Sequence, residues 1–285
     1  MTGNKKIAVI GAGTMGTGLA LNLAIFEYEV ILIDADPQAL QRAEAKIPGD
    51  LRLFRMMNSE KKWPTSAELL ARIVFTTEYK ELEDVRIVIE NIPEDWNKKE
   101  ALYRNIRGVF DPETLFAINT SCIAITRAAA CFHRPQNVIG THFMNPVPLK
   151  NFVEVITGYH TSEHTVNTIK TFLASFGKKC VVVKDYPGFV SNRLSHLFMN
   201  EAAFLLQDQV ASPRDIDLIF TEGYGHAMGP LATADLIGLD TVVNSLEILC
   251  NSYQDPKFRC CPLLVKMVQA GMLGRKTGQG FFKYT

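Results

Sequence analysis

The sequence predicts an α/β protein in which a doubly wound parallel sheet is followed by an all-helical C-terminal domain. Short apolar runs typical of buried parallel strands alternate with helical stretches as far as residue 184. A glycine-rich turn directly follows the first of these runs. Beyond Asp185-Tyr186-Pro187-Gly188 the patterns are helical almost to the chain end. We therefore expect one domain over residues 1–184 and a second over residues 185–285.

Apolar runs bounded by turn residues place the strands of the first domain. The predicted strands are 6–10, 29–34, 73–76, 87–90, 115–118, 138–142, 152–156 and 180–183. The main helices predicted between them are 15–26, 98–109 and 163–176. In the second domain, the pattern predicts helices at 190–209, 213–221, 239–253 and 262–270.

Composition and charge restrict the classes of partner. The chain has 285 residues with 47% hydrophobic content, which is enough to form two cores. Its 30 basic residues balance its 30 acidic residues, so bulk charge attracts neither nucleic acid nor an anionic membrane. No apolar run approaches the length of a membrane span. We expect neither nucleic acid nor a membrane as a partner.

Cysteine usage and the N-terminal sequence predict the compartment. The six cysteines form neither a C-x-x-C pair nor a disulfide-framework spacing. The first residues lead directly into a strand pattern and show no signal peptide. We therefore expect reduced thiols in a cytoplasmic protein.

The glycine turn predicts a dinucleotide site. Gly11-Ala12-Gly13-Thr14-Met15-Gly16 matches G-x-G-x-x-G between a strand and a helix. The glycines permit a tight turn, close approach of a pyrophosphate and close helix packing. The following helix offers free N–H groups to phosphates, so we take all six residues as cofactor-binding candidates.

Asp34, at the end of the second strand, predicts which cofactor binds. It lies 18 residues after Gly16, near the usual spacing for an acid that accepts hydrogen bonds from ribose hydroxyls. A carboxylate there repels a 2′-phosphate, so we expect NAD rather than NADP. The alternative is a solvated turn acid, the interpretation we give to Asp36.

His142 and Glu154 form the candidate catalytic pair. His142 ends a predicted strand, at the sheet edge where ligands bind in open α/β folds. Glu154 lies in the next strand, after a turn that contains Asn145-Pro146 and Pro148. A carboxylate that orients an imidazole makes it an efficient proton acceptor near neutral pH. Spacing alone leaves open a second interpretation, a core histidine satisfied by a hydrogen bond.

Polar residues at two other positions are further candidates. Asn119 and Ser121 follow the strand at 115–118, where they can contact cofactor or the reacting oxygen. Ser121 can also cap a helix at 123–130, and both roles can hold together. Asn192 opens the first long helix of the second domain, where it either reaches the cleft or lies on the helix surface.

Several motifs occur in order along nearly the whole chain, over residues 5–284, and together they resemble the L-3-hydroxyacyl-CoA dehydrogenases, including the 3-hydroxybutyryl-CoA dehydrogenases. The matching segments are the glycine turn, Asn119-Thr120-Ser121, His142-Phe143-Met144-Asn145-Pro146, Val153-Glu154-Val155, Pro187-Gly188-Phe189-Val190-Ser191-Asn192-Arg193 and Gly274-Arg275-Lys276-Thr277-Gly278.

The resemblance assigns roles residue by residue. It implies that His142 is the catalytic base with Glu154 as its partner, and that Ser121 and Asn192 hold the substrate oxygen. It also implies NAD contacts from four further residues, Glu94, Lys99, Asn145 and Lys276. The implied fold is a Rossmann-like domain with a helical domain that forms a homodimer. The implied reaction is the reversible oxidation of a 3-hydroxyacyl thioester to the 3-oxoacyl thioester, without a metal.

The sequence departs from the family at two positions near the expected cofactor. Cys122 replaces a second serine, and we interpret it as a small buried residue rather than a nucleophile. Asn91 replaces a common alanine, which predicts a more polar cleft.

A larger departure lies between Asp34 and Trp63, where the family binds coenzyme A through a serine and a lysine. Asp50 and Met57 occupy those positions here, and Pro48-Gly49 is expected to interrupt the helix. Four basic residues can replace the missing contacts, can meet an acidic acyl carrier protein, or can form an ordinary charged face: Arg52, Arg55, Lys61 and Lys62.

The segment from His160 to His164 resembles a zinc-binding motif. The sequence from His160 to His164 matches the H-x-x-E-H zinc motif, but it spans a strand exit and a helix start. Thr161 or Ser162 suits a helix cap there, so we interpret the segment as surface.

The leading hypothesis is an NAD-dependent dehydrogenase of L-3-hydroxyacyl thioesters of coenzyme A, with an acyl-carrier-protein thioester as the competing substrate. The alternatives are a non-catalytic nucleotide-binding protein and a dehydrogenase of a free hydroxy acid.

Overall fold

The strand patterns form one eight-stranded sheet in the computed structural model, which describes residues 5–57 and 63–284. The strands are β1 (Lys6–Ile10), β2 (Glu29–Ile33), β3 (Ile73–Thr76), β4 (Ile87–Glu90), β5 (Leu115–Ile118), β6 (Val138–Phe143), β7 (Phe152–Thr157) and β8 (Lys179–Lys184). Each predicted strand is confirmed to within one residue at either end. Their order across the sheet is β3-β2-β1-β4-β5-β6-β7-β8.

The expectation of a wholly parallel sheet is wrong at one pair. β6 and β7 run antiparallel, whereas every other neighbouring pair is parallel. Only residues 144–151 connect β6 to β7. A parallel crossover needs a dozen or more residues, so the chain can only turn back beside the strand it has just left.

The helices of the first unit cover this sheet. They are α1 (Thr14–Ile25), α2 (Pro37–Met57), α3 (Ser66–Leu70), α4 (Trp96–Ile106), α5 (Ile125–Ala129) and α6 (Glu163–Ser175). The central strands are buried along nearly their whole length because helices cover a parallel sheet on both faces. The prediction of a doubly wound domain is therefore confirmed.

The predicted interruption of α2 at Pro48-Gly49 is wrong. The helix runs without a break through Pro48 and is 21 residues long in all. Proline costs one helical hydrogen bond, but the helix buries a stripe of apolar side chains on either side of it. Ile47 and Leu51 are almost completely buried next to the proline. Burial of this stripe, at about 1.5–3 kcal/mol per large side chain, outweighs the local cost.

The chain divides by its internal contacts into two compact units, Met1–Asp185 and Tyr186–Thr285. The second unit contains α7 (Ser191–Gln207), α8 (Pro213–Leu218), α9 (Pro230–Ile237), α10 (Leu239–Tyr253) and α11 (Pro262–Gln269). A single π-helical turn, Ile219–Gly223, follows α8. Helix α9 was not predicted from the sequence, although Gly229 precedes its first residue, Pro230, and Gly238 follows its last.

The end of the chain is anchored to α9 by a buried acid. Asp235 accepts hydrogen bonds from the backbone N–H groups of Phe281 (3.0 Å) and Phe282 (2.9 Å) and from the hydroxyl of Tyr284 (2.9 Å). Burial and the hydrogen bond to Asp235 raise the pKa of Tyr284 to about 12. Among the described helices of both units, none combines the length and the apolar character needed to cross a membrane.

Candidate active site

The glycine turn has the shape of a dinucleotide cradle. Gly11 has a φ of +100°, and a Cβ there would lie 2.8 Å from the Asn91 carbonyl. A Cβ on Gly16 would lie 1.7 Å from the Gly11 oxygen, so only glycine lets α1 start so close to β1. A Cβ on Gly13 would meet nothing within 4 Å. The turn therefore leaves open space at the start of α1, where N–H groups can hold a pyrophosphate, and these residues fit NAD.

Asp34 braces this turn from the end of β2. Its Oδ2 accepts a hydrogen bond from the Ala12 N–H at 2.7 Å, and its Oδ1 accepts one from the Asp36 N–H at 2.9 Å. A carboxylate has about four acceptor sites, so these two bonds leave capacity for ribose hydroxyls. Asp36 accepts a hydrogen bond from the Gln38 N–H and pairs with Arg42, as suits a solvated turn acid.

His142 and Glu154 are direct partners across the antiparallel β6–β7 pair. The distance from His142 Nδ1 to Glu154 Oε2 is 3.2 Å, and the two residues are 8% and 3% exposed. An ionised carboxylate only accepts hydrogen bonds, so Nδ1 must be the donor. In the neutral ring Nε2 is then the acceptor, which is the state a general base needs.

Ser121 lies on the other side of this ring. Its Oγ is 3.3 Å from His142 Nε2. The alternative role of Ser121 as a helix cap is wrong, because α5 begins only at Ile125 and its N-cap residue is Ala124. Asp185 accepts the N–H groups of Ile125 and Thr126 instead. The structure thus brings the three residues together, with Ser121 at Nε2 of the His142 ring and Glu154 at Nδ1.

Glu94 holds the loop that carries Ser121. Its Oε1 accepts hydrogen bonds from the Thr120 hydroxyl (2.5 Å) and from the N–H groups of Ser121 (3.1 Å), Cys122 (2.7 Å) and Ile123 (3.0 Å). From the sequence, Glu94 was expected only as a contact for NAD. Its spacing from the loop in the chain gave no sign of this second task.

Two asparagines link the ends of three strands. The Phe143 N–H donates to Asn119 Oδ1 (3.2 Å), Asn119 Nδ2 donates to Asn91 Oδ1 (2.7 Å), and Asn91 Nδ2 donates to the Ile89 carbonyl (3.1 Å). A backbone donor begins the chain and a backbone acceptor ends it, so both amide orientations are determined. Asn91 therefore makes this part of the site more polar, and it braces Asn119.

Lys99 is completely buried. Its Nζ lies 2.7 and 2.8 Å from the two carboxylate oxygens of Glu90, which is also completely buried, and 3.4 Å from the Asn119 carbonyl. The Tyr103 hydroxyl donates to Glu90 Oε2 at 2.5 Å. Burial raises the pKa of Glu90, against the opposing effect of Lys99. Burial and the Glu90 charge raise the pKa of Tyr103. The structure places Lys99 first as the partner of Glu90, and its contact with NAD stays a prediction.

Asn145 lies exposed in the turn between β6 and β7, where it precedes the cis-proline Pro146. The buried Lys178 donates to the carbonyls of Val147 (2.5 Å) and Lys150 (2.8 Å), which fastens the turn from beneath.

The other two predicted site residues lie in the second unit. Asn192 is in the first turn of α7, and its carbonyl is 2.9 Å from His196 Nδ1. Lys276 lies in a short 3-10 turn, Arg275–Thr277, and donates to Asp240 at 2.6 Å. Although burial opposes it, the hydrogen bond from Lys276 leaves the pKa of Asp240 lowered.

The segment between Asp34 and Trp63, where the family resemblance implies coenzyme A contacts, is described except for residues 58–62. Asp50 pairs with Lys46 one turn earlier in α2 at 3.3 Å, and Arg55 donates to the Pro64 carbonyl. Arg52 and Met57 are exposed. Lys61 and Lys62, proposed as replacement contacts, lie outside the described residues.

The H-x-x-E-H segment forms a helix cap. Ser162 is the N-cap of α6 and accepts a hydrogen bond from the Thr165 N–H, as predicted. Within residues 5–57 and 63–284, no group of three or more histidine, cysteine or acidic side chains could hold a metal ion.

Cys122 is buried, as expected.

Two family models together match most of the chain. The NAD binding domain of 3-hydroxyacyl-CoA dehydrogenase matches residues 6–186, and the C-terminal domain of 3-hydroxyacyl-CoA dehydrogenase matches residues 188–284. A probable 3-hydroxybutyryl-CoA dehydrogenase of Bacillus subtilis is 41% identical over 284 residues, which cover 98% of this chain and 97% of that protein.

Solved structures match equally well. The crystal structure of (S)-3-hydroxybutyryl-CoA dehydrogenase from Ralstonia eutropha has a TM-score of 0.93 at 38% identity, covering 99% of this chain and 100% of that one. A more distant relative has another substrate in its name. The 5-formyl-3-hydroxy-2-methylpyridine 4-carboxylate 5-dehydrogenase of Mesorhizobium japonicum is 33% identical over 99% of this chain and 91% of that protein.

Proposed function

The chain belongs to the 3-hydroxyacyl-CoA dehydrogenase family, and we propose that it interconverts L-3-hydroxyacyl-CoA and 3-oxoacyl-CoA with NAD, using His142 as general base. The observation that carries this proposal is the placement of the His142 ring between Glu154 and Ser121. The glycine turn in the same unit fits the cofactor.

In the oxidative direction, Nε2 of His142 takes the proton of the substrate hydroxyl. Glu154 accepts the hydrogen bond from Nδ1–H and stabilises the imidazolium that results. We propose that Ser121 holds the substrate oxygen as it becomes a carbonyl, and the same role for Asn192, in the second unit, rests on the family resemblance alone. NAD, when bound, supplies the acceptor for the hydride that leaves C3. One proton and one hydride thus leave the alcohol, and in the reverse direction His142 returns the proton.

The substitution His142→Gln tests this assignment. We expect the rate of acetoacetyl-CoA reduction to fall about a hundredfold or more, because a positioned base contributes about 10²–10⁴-fold. NADH affinity, measured by fluorescence titration, should change little. The matched control is His164→Gln, an exposed histidine on α6, which should keep normal turnover. Normal turnover of the His142 variant would remove this residue from its role.

The carrier of the acyl group is a finer question, for which we propose coenzyme A. The names of the relatives support it. The Lys46–Asp50 pair and the exposed Met57 imply contacts that differ from the family pattern. Turnover of acetoacetyl-CoA should be compared with that of the same acyl group on an acyl carrier protein. Comparable or faster turnover of the coenzyme A thioester rejects the carrier-protein alternative, and a strong preference for the carrier protein rejects coenzyme A.

We propose a free hydroxy acid as the second candidate substrate class. The support is one relative whose name gives a pyridine carboxylate, a free acid rather than a thioester, as its substrate. A panel that includes 3-hydroxybutyrate alongside its coenzyme A thioester decides between them. A non-catalytic nucleotide-binding role requires that NADH binds while no 3-oxoacyl thioester oxidises it in a single turnover.

We further propose a homodimer formed through the second unit, in the cytoplasm. Several large apolar side chains of this unit are exposed and would be covered in a dimer, among them Leu205, Val210, Leu218, Ile219 and Tyr224. Sedimentation velocity should give twice the chain mass of 31.8 kDa, and a monomer at micromolar concentration would contradict the dimer. The six cysteines are free thiols, which suits a reducing compartment, and cell fractionation tests the location.

A further inference from the structure

The carboxylate of Glu94 occupies an anion-binding loop. Three consecutive backbone N–H groups, those of Ser121, Cys122 and Ile123, converge with the Thr120 hydroxyl on its Oε1. Successive N–H groups that point to one centre form a concavity that favours a negative charge. The occupant here is a side chain from outside the loop, so the carboxylate is a fastening between two separate segments.

These two segments follow neighbouring strands of the sheet. Glu94 comes after β4, which ends at Glu90, and the loop comes after β5, which ends at Ile118. Thr120 adds a second fastening, because its Oγ1 also accepts the Ile123 N–H at 3.0 Å. The shape of the loop thus depends chiefly on Glu94 Oε1, which accepts four hydrogen bonds from it, with a further contact inside the loop.

The position of the Ser121 hydroxyl depends on that shape. The Ser121 Oγ lies one bond beyond Cβ, so in its present rotamer its position follows that of the backbone. The distance from Oγ to His142 Nε2 is 3.3 Å, near the upper limit of a hydrogen bond. A displacement of the loop by about 1 Å would break this contact and misplace the group that holds the substrate oxygen.

We propose that Glu94 is a positioning residue that acts through Ser121, in addition to any contact with the cofactor. All four loop bonds go to Oε1, so Oε2 can accept a hydrogen bond from a hydroxyl of the cofactor at the same time. One carboxylate then connects cofactor binding to the placement of the serine. The inference rests on the proposed dehydrogenase function and adds a residue to its machinery.

A double-mutant cycle separates positioning from direct cofactor contact. We expect Glu94→Ala and Ser121→Ala each to lower kcat by roughly tenfold, the size of one well-placed hydrogen bond. The double variant should be no slower than the slower single variant, because both changes remove the same contact. NADH affinity of Glu94→Ala should fall less than kcat does. Glu94→Gln should recover most of kcat, since its amide oxygen still accepts the loop N–H groups.

The neighbouring acid Asp95 supplies a matched control. It is the N-cap of α4, where its side chain accepts the Lys98 N–H at 3.2 Å, so Asp95→Ala also removes one carboxylate from backbone donors. This variant should lose thermal stability but keep kcat. Equal losses of kcat in the Asp95 and Glu94 variants would overturn the positioning role and indicate general destabilisation. Independent effects of Glu94→Ala and Ser121→Ala that multiply in the double variant would also overturn it.

Hydrogen exchange gives a readout that needs no substrate. In Glu94→Ala, and not in Asp95→Ala, the amides of Ser121 and Cys122 should exchange faster, because they lose the Glu94 acceptor, whereas the Ile123 amide keeps Thr120 Oγ1. Unchanged exchange there would overturn the proposal even if the enzyme is active. If the wild-type chain reduces no 3-oxoacyl-CoA but the exchange result holds, the proposed function fails while the fastening by Glu94 stands.

Discussion

The buried pair of Glu90 and Lys99 makes a strong prediction about stability. In Glu90→Gln the side chain keeps its size but loses its charge, which leaves the Lys99 ammonium without its partner. Both residues are completely buried, and the ammonium lies 2.7 and 2.8 Å from the two carboxylate oxygens. Removing one partner of such a pair costs about 3–5 kcal/mol, because the remaining charge stays uncompensated in a medium of low polarity.

This cost converts into a change of melting temperature. The first unit spans 185 residues, Met1–Asp185. At about 2.1 cal/mol/K per residue, its entropy of unfolding is about 0.4 kcal/mol/K, so the expected loss in Tm is about 8–13 °C. The double variant Glu90→Gln with Lys99→Met removes both charges, and its Tm should fall much less. The attraction within the intact pair does not make up for the cost of removing both charges from water.

Calorimetry and urea unfolding of these variants test the reasoning. The matched control is Glu113→Gln, which breaks an exposed pair with Arg134 and should cost less than about 1 kcal/mol. If Glu90→Gln lowers Tm no more than this control does, leaving Lys99 without its buried partner is not costly and the reasoning is refuted. A double variant as unstable as the sum of its two singles would refute the coupling between the charges.

Two further predictions concern the asparagine link and the chain end. Asn91→Ala leaves the Asn119 amide without the acceptor that lies 2.7 Å away. We expect the transition state to lose about 1 kcal/mol of stabilisation, which lowers kcat/KM for NAD roughly fivefold. Unchanged kcat/KM in steady-state kinetics would reject this role. The pKa of Tyr284 is about 12 in the folded chain, above its value of about 10 in the unfolded chain. Its hydroxyl therefore contributes stability that is fully present below about pH 10 and is lost as the pH rises through the folded pKa. Tyr284→Phe should therefore cost about 1 kcal/mol at pH 8, allowing for its partial exposure, and nothing near pH 12; urea unfolding at both pH values checks this, and a constant difference would contradict it.

Strands were predicted well because each is a short apolar run between strong turn signals. Buried parallel strands are nearly continuous in Val, Ile and Leu, as in the run Glu29–Ile33. The short helix α3 was missed although Thr65 and Glu68 form a capping box, which was visible in the sequence as T-x-x-E. Local patterns therefore located every strand, whereas a helix of one turn and a half was missed despite its cap.

The site was predicted as a set of residues but not as a network. The sequence places Asn119, Ser121 and His142 at strand ends that share one edge of the sheet, which is why they could be grouped. The partners that hold them, Glu94 and Asn91, become neighbours only when β4 and β5 lie side by side. Those contacts are between segments about 28 residues apart, and no periodicity in the chain encodes them.

The antiparallel direction of β7 makes the site sensitive to the length of the connection that precedes it. His142 and Glu154 face each other only because the chain doubles back within eight residues, so base and acid travel together in one contiguous stretch. Loss or gain of a single residue that shifts the pairing of these two strands by one position would turn the acid to the opposite face of the sheet and leave the ring without its companion. The length of the 144–151 connection is therefore itself part of the chemistry.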